Sequence, residues 1–291
     1  MSQQTARPAS TRPRRPRPRQ MVMEVVDVEE LSPTFKRLTF GGKDFDLFQD
    51  SDAVDQYVKL LLPQNPASGL TPPFDLDELR KTLPKDELPL RRTYTVHSVD
   101  HDAKTLKMDF VIHGDQGLAG PWAAQAKVGD LLQFSSPGGK YQPDPAADWH
   151  LLAGDEAAIP AIGAALAAMP DDAVGHALIE VATKDDEWNL RAPEGIEVTW
   201  LHRGGPFTPE STVIEQAVKA VPWREGRVQV FVHGEREIMK VLRVYLNEER
   251  GVDRADMSLS AYWAYGRAED DFQAEKKLPV GQIYPETGLQ Y

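Results

Sequence analysis

The chain has 291 residues, 41% hydrophobic and 27% charged, which fits a folded protein of about two domains and argues against wholesale disorder. It contains no cysteine, so disulfides, thiolate nucleophiles, zinc–thiolate sites and iron–sulfur clusters are excluded together. Formal net charge is −12, but Arg7, Arg12, Arg14, Arg15, Arg17 and Arg19 fall in the first twenty residues with no acid, leaving 27 basic against 45 acidic side chains in the body, which does not suit nucleic-acid binding.

Residues 1–20 mix Arg, Pro, Ser and Gln and read as a disordered basic tail. Residues 21–145 carry short strand patterns at 21–28, 35–40, 56–62, 92–98, 106–112 and 131–135. Many alternate apolar with polar residues, as half-buried antiparallel strands do, and six in so short a span suggest a barrel. Between the third and fourth runs a long proline-rich loop, 63–90, holds one short helix at 76–83; loops of this length are usually functional or mobile.

Residues 146–268 change to a strand–helix rhythm. Strands are expected at 149–153, 176–183, 196–202, 228–233 and 257–263, and helices at 158–168, 212–220 and 235–250. The last helix places Ile238, Val241, Leu242 and Tyr245 on one face. Crossovers of this kind predict a parallel, doubly wound sheet. Residues 269–291 form a C-terminal tail, helical over 269–277 and irregular over 279–291. No apolar stretch reaches the ~20 residues of a membrane span, and the N-terminus lacks the apolar segment of a secretory signal. A cytoplasmic protein without stable membrane insertion, and a monomer, is therefore expected.

Four segments carry chemistry. Arg92-Thr93-Tyr94-Thr95 opens a strand whose alternation puts Arg92 and Tyr94 on one side, Thr93 and Thr95 on the other. An arginine fork suits a diphosphate, and a tyrosine ring can lie on a flat ligand. His113-Gly114-Asp115-Gln116-Gly117-Leu118-Ala119-Gly120-Pro121-Trp122 ends a strand and opens a helix. Its glycines allow close backbone approach, and free amides at a helix start attract phosphate. Gly154-Asp155-Glu156-Ala157 lies at the carboxyl end of the first parallel strand, where open α/β sheets bind ligands. No G-x-G-x-x-G is present, and Asp155 and Glu156 serve either as helix caps or as ligand contacts. Tyr262, Trp263 and Tyr265, followed by Gly266 and Arg267, look like a cover over a flat ligand, although Tyr262 also reads as core.

These segments together resemble the siderophore-interacting protein family, the FAD-dependent ferric-siderophore reductases, over roughly residues 21–277. Arg92, Tyr94 and Thr95 match the pattern R-x-Y-T-x-R, with His97 at the last arginine. His113, Gly114, Asp115, Gly117, Ala119, Trp122 and Ala123 match H-G-D-x-G-x-A-x-x-W-A, with Leu118 where proline is usual. Gly154, Asp155 and Glu156 match A-G-D-E, Gly234-Glu235 matches G-E, and Tyr262, Trp263, Gly266, Glu269 and Asp270 match Y-W-x-x-G-x-x-E-D.

The resemblance implies a ferredoxin-reductase-like architecture. An antiparallel FAD-binding barrel is followed by a parallel α/β half that binds NADH or NADPH. It places FAD at Arg92, Thr93, Tyr94, Thr95, His97, His113, Gly117, Leu118, Ala119, Gly120 and Trp122, and across from them at Asp155, Glu156, Ala157 and Trp263. The nicotinamide falls to Gly154, Gly234 and Glu235, and a ferric siderophore to Lys59, Lys140 and Arg267. None of the seven histidines forms a compact pair on a helix, so the iron is expected inside its chelator and not on protein ligands. No nucleophile elbow is visible, which argues against hydrolysis of the chelator. Two alternatives stand beside the reductase: a flavin component feeding electrons to a partner protein, and a flavin or siderophore carrier without turnover.

Overall fold

The computed structural model describes residues 19–112 and 117–284. His113, and most of the basic tail, lie outside the described residues. Six antiparallel strands close into a barrel: β1 (Gln20–Ser32), β2 (Phe35–Gly41), β3 (Tyr57–Leu62), β4 (Leu90–Asp100), β5 (Thr105–Val111) and β6 (Leu131–Ser135), in the spatial order β1-β2-β5-β4-β3-β6. Alternation drives the closure. Met23, Val25, Leu38, Phe40, Leu60, Val96, Met108, Phe110 and Phe134 point inward and are buried. β1 begins at Gln20, which pairs with Ser135, and it outlasts its apolar pattern because pairing with β2 continues to Ser32↔Phe35.

The proline-rich stretch is not a free loop. Its helix α1 (Leu76–Thr82) starts at Asp75, whose carboxylate accepts from the Asp77 and Glu78 amides. Phe74 docks beside it, exchanging backbone hydrogen bonds with the Gln133 side chain on β6. A second short helix, α2 (Ala119–Gln125), closes one barrel end, with Trp122 packed on Phe110.

The second half is a five-stranded parallel sheet of β7 (Trp149–Gly154), β8 (Val174–Val181), β9 (Gly195–His202), β10 (Val228–Glu235) and β11 (Met257–Trp263), in the order β11-β10-β7-β8-β9. Helix α3 (Ile159–Ala168) covers one face; α4 (Val213–Ala220) and α5 (Arg236–Arg243) cover the other, and α6 (Glu269–Glu275) follows β11. β7 is buried along its whole length, which is why it reads as an unbroken apolar run. Phe35, at the start of β2, is buried in the cluster of α3 and rests 4.5 Å from the Trp188 ring, so barrel and sheet share core.

The helix expected over 235–250 divides. After α5 the backbone widens into a π-helical turn over Val244–Glu249, with Arg250 N–H bonded to the Tyr245 carbonyl and Arg250 Nε to the Tyr245 hydroxyl. Ile238, Leu242 and Tyr245 are buried as expected, but Val241 is 40% exposed, because it sits at the edge of the apolar stripe. Among the described residues no helix is long and apolar enough to cross a membrane.

Gly175 sets the tightest strand contact. It pairs with His150 at φ +151°, and a Cβ there would lie 2.0 Å from the His150 carbonyl oxygen. The obstruction is backbone and has little room to yield. Gly175→Ala should therefore lose about 3 kcal/mol, the upper end of ordinary overpacking costs, read as a lower denaturant midpoint at unchanged slope.

Candidate functional site

The carboxyl ends of the parallel strands face β3 and β4 of the barrel across one cleft of about 2510 Å³. That is several times the 300–1,000 Å³ of an ordinary small-molecule site, so the cleft has room for more than one ligand.

On the barrel wall, register pairs Lys59 with Thr93 and Leu60 with Arg92. Alternation then puts Lys59, Thr93 and Thr95 on one face of the barrel wall. Lys59 Nζ donates to Thr93 Oγ1, and Thr93 donates its hydroxyl and its backbone N–H to Glu269 Oε1, both at 3.0 Å. The Arg92 guanidinium reaches Asp270 at 3.0 Å and lies 3.7 Å from Glu269. Its Nη2 has no hydrogen-bond partner among the described residues. Tyr94 stacks on Phe110 with centroids 4.6 Å apart, and burial pushes its hydroxyl pKa up.

Next to this strand, Gly117, Leu118, Ala119 and Gly120 form the wall. Gly117 has φ +82°, and no side chain caps the start of α2, so its first amides carry no partner from a capping residue.

On the sheet wall, Asp155 is buried and its carboxylate gathers three donors. Oδ1 accepts from the Ala157 N–H at 3.0 Å; Oδ2 accepts from the Glu235 N–H and from Trp263 Nε1, both at 2.8 Å. Gly234, at φ +155°, makes this possible, since a Cβ there would stand 2.6 Å from Asp155 Oδ2. Glu235 in turn caps α5 through the Glu237 and Ile238 amides and accepts the Tyr265 N–H at 3.1 Å. Trp263 is thereby fixed edge-on to Phe207, 4.9 Å away. Beside Asp155, Glu156 holds Arg203 in a two-point ion pair, and Glu180 lies 3.5 Å from the same guanidinium.

The cleft thus brings together fifteen of the expected residues: Lys59, Arg92, Thr93, Tyr94, Thr95, Gly117, Leu118, Ala119, Gly120, Lys140, Asp155, Glu156, Ala157, Trp263 and Arg267. Five others do not line it. His97 lies between β4 and α3, 3.5 Å from Asp109, and Trp122 packs into the barrel core. Gly154 sits beneath the site, where a Cβ would meet Ala158 at 2.5 Å; Gly234 and Glu235 act through Asp155 and the Tyr265 backbone. Lys140 enters by a backbone N–H bonded to Asp55, and Arg267 pairs with Glu275.

Two cleft residues had little local signal. Glu269 was visible only as a motif position, and Lys276 only as a residue just past the end of α6. Burial and the nearby Lys59 charge lower the Lys276 ammonium to about 8, and burial also lowers Lys59. Burial raises Glu269 against the pull of Thr93, Arg92 and Lys59.

Residues 24–141 match the family model described as the siderophore-interacting FAD-binding domain, and residues 147–266 the one described as siderophore-interacting protein. The chain is 32% identical to the ferric vibriobactin reductase ViuB of Vibrio cholerae over 90% of this chain and 96% of that protein. It is 30% identical to the NADPH-dependent ferric-chelate reductase of Escherichia coli, over 83% and 91%. The crystal structure of a siderophore utilization protein from T. fusca superposes with a TM-score of 0.74 at 34% identity, covering 86% of this chain and 94% of that one.

Asp155 offers a test of the site's electrostatics. Burial, with the Glu156 charge behind it, pushes its carboxyl up to about 7, above the ~3.9 of an unfolded chain. The folded state therefore binds the extra proton. The stability this contributes is complete below pH ~4 and is lost as pH rises through about 7. Asp155→Asn should flatten the stability–pH curve between those limits, measured by denaturant unfolding at several pH values; an unchanged slope would rule out the raised pKa.

Proposed function

The chain belongs to the siderophore-interacting protein family, and we propose that it is an FAD-dependent reductase that moves electrons from NADH or NADPH to iron(III) held in a siderophore. One observation carries this reading. A single cleft joins the Arg92–Thr95 strand, the uncapped turn before α2 and the carboxyl edge of a parallel sheet.

The residues present fit the cofactor. Arg92 Nη2, on a partly buried guanidinium, has no partner among the described residues, and the amides at the start of α2 lack a capping side chain; together they supply donors for a diphosphate. Thr93, Tyr94 and Thr95 offer a hydroxyl and backbone edge beside a ring-shaped ligand. Bound FAD would accept a hydride from the nicotinamide and release electrons singly to iron(III). The protein's part is placement. The barrel, residues 21–145, holds FAD, and residues 146–268 present the nicotinamide nucleotide over β7 and β10. Trp263, pinned through Nε1 by Asp155, would present a fixed aromatic surface in the cleft against which a flat ring could pack.

The substrate approach is electrostatic. An acidic body repels an anionic chelate, so productive binding needs a local cationic patch. Lys59, Lys276 and Lys277 supply it at the cleft, with Lys140 and Arg267 at the rim. Reduction to iron(II) weakens its hold on hard oxygen ligands, and the iron leaves. No protein acid or base is required for outer-sphere electron transfer.

Purified protein should be yellow, and its flavin should bleach on anaerobic addition of NADH or NADPH; retention of full colour with both would sink the reductase reading. Arg92→Ala removes charge-assisted bonds of about 1.5–3 kcal/mol and should weaken FAD binding roughly 10- to 100-fold, read by flavin fluorescence during titration. Lys59→Ala should raise KM for an anionic ferric siderophore about 2- to 30-fold, with FAD content unchanged and the penalty shrinking as salt rises. Equal KM values at two salt concentrations would remove Lys59 from the substrate site.

A further inference from the structure

The choice between NADH and NADPH is written in the far end of the cleft, an inference that rests on the nicotinamide reading above. A dinucleotide on a parallel sheet lies across the carboxyl ends of the strands. Its reacting end must reach the Thr93–Thr95 strand edge, which faces the segment after β11: Glu269 of α6 bonds Thr93 directly. The adenosine end then runs the other way across the sheet, past β7 to the ends of β8 and β9.

There the cleft wall is made by Glu156, Thr183, Asp185, Asp186 and Arg203. Arg203 is the one cation among them. Its side chain is only 7% exposed, and Glu156 occupies both terminal nitrogens while Glu180 crowds Nη1 from behind. Asp186 is committed to the Thr183 amide and hydroxyl and to the Thr34 hydroxyl of the barrel. Asp185 is exposed on the wall and bonds to nothing among the described residues. The neighbouring Lys184 does not line the cleft. A nucleotide ribose therefore meets a free carboxylate and an arginine already neutralised.

We propose that this end of the cleft selects NADH over NADPH. Asp185 accepts a hydrogen bond from the adenosine ribose hydroxyls, and Glu156 keeps Arg203 from serving a 2′-phosphate. A 2′-hydroxyl can donate to a carboxylate; a 2′-phosphate has only acceptors to offer and carries its charge into an acidic wall. Discrimination thus combines an attractive contact with a repulsive one.

The experiment uses FAD-loaded protein and two readouts. Calorimetric titration compares adenosine 5′-monophosphate with adenosine 2′,5′-bisphosphate; anaerobic flavin reduction compares NADH with NADPH. The monophosphate and NADH should each be favoured by at least about tenfold, in Kd and in kcat/KM. Asp185→Ala, at an exposed position that should not disturb folding, should weaken the monophosphate while leaving or improving the bisphosphate. Glu156→Gln should release Arg203 and shift both ratios toward the 2′-phosphate. Bisphosphate binding as tightly as monophosphate, or ratios that Asp185→Ala leaves unmoved, overturns the selectivity alone. Failure of both nucleotides to bind and of both donors to bleach the flavin overturns the nicotinamide reading and this inference with it.

Discussion

The Asp155 carboxyl at the end of β7 collects donors from three segments that are distant in sequence: its own turn, the β10–α5 junction and the end of β11. Each strand delivers its chain to the sheet edge; this carboxyl decides where the chain goes next. It fixes the start of α3, the direction in which α5 leaves, and the pose of Trp263. Glu235, held in place by the same bond, carries the order one step further by gripping the Tyr265 amide. The aromatic segment above the sheet is thus supported by two buried carboxyls in series, neither of which forms an ion pair among the described residues. Burial, with the Glu156 charge beside it, is what lifts Asp155 to about 7. Hydrogen bonds from Trp263 and Ala157 oppose that lift only in part.

Much of the fold was legible because burial imposes a period. The strands expected at 131–135 and 257–263 coincide with β6 and β11, and most other strands differ by one or two residues at their ends. The helix at 235–250 was read as one element because apolar spacing does not report the widening after Arg243, which depends on Tyr245 and Arg250 engaging each other. The proline-rich stretch invited a functional reading by its length, yet none of residues 63–90 lines the cleft. Gln133 holds it to β6 through Phe74, a contact between residues 59 apart that no local pattern carries.

The site was legible as motifs and illegible as geometry. Arg92–Thr95 and Gly117–Gly120 meet on one wall as their order suggested. That His97 and Trp122 fall away from it follows from the barrel: a bulge between Val96 and Ser98 turns His97 toward α3, and Trp122 is needed against Phe110. Gly154 and Gly234 earn their glycines through packing, since a Cβ at either would collide with a neighbouring chain or with Asp155. Their sequence signal was real, but it marked the absence of a side chain beneath the site.

The cleft's two ends differ in charge, and the difference follows from which residues are already paired. At the β11 end burial and the Lys59 charge lower the hold of Lys276 on a proton, burial and Arg91 lower that of Lys59, and Glu269 offsets both only partly. Such a pair gains most from an anion that approaches both. At the β8–β9 end the cation that lines the cleft is matched: Arg203 by Glu156 and Glu180, with Asp185 left over. The same wall is tied to the barrel by Asp186 and Thr34, and by the Phe35–Trp188 contact below it. The acidic end is therefore the braced one, and at the basic end α6 is tied to the barrel by the Glu269–Thr93 and Asp270–Arg92 bonds. The cleft therefore carries its uncompensated positive charge on the α6 side and its uncompensated carboxylate, Asp185, at the opposite end.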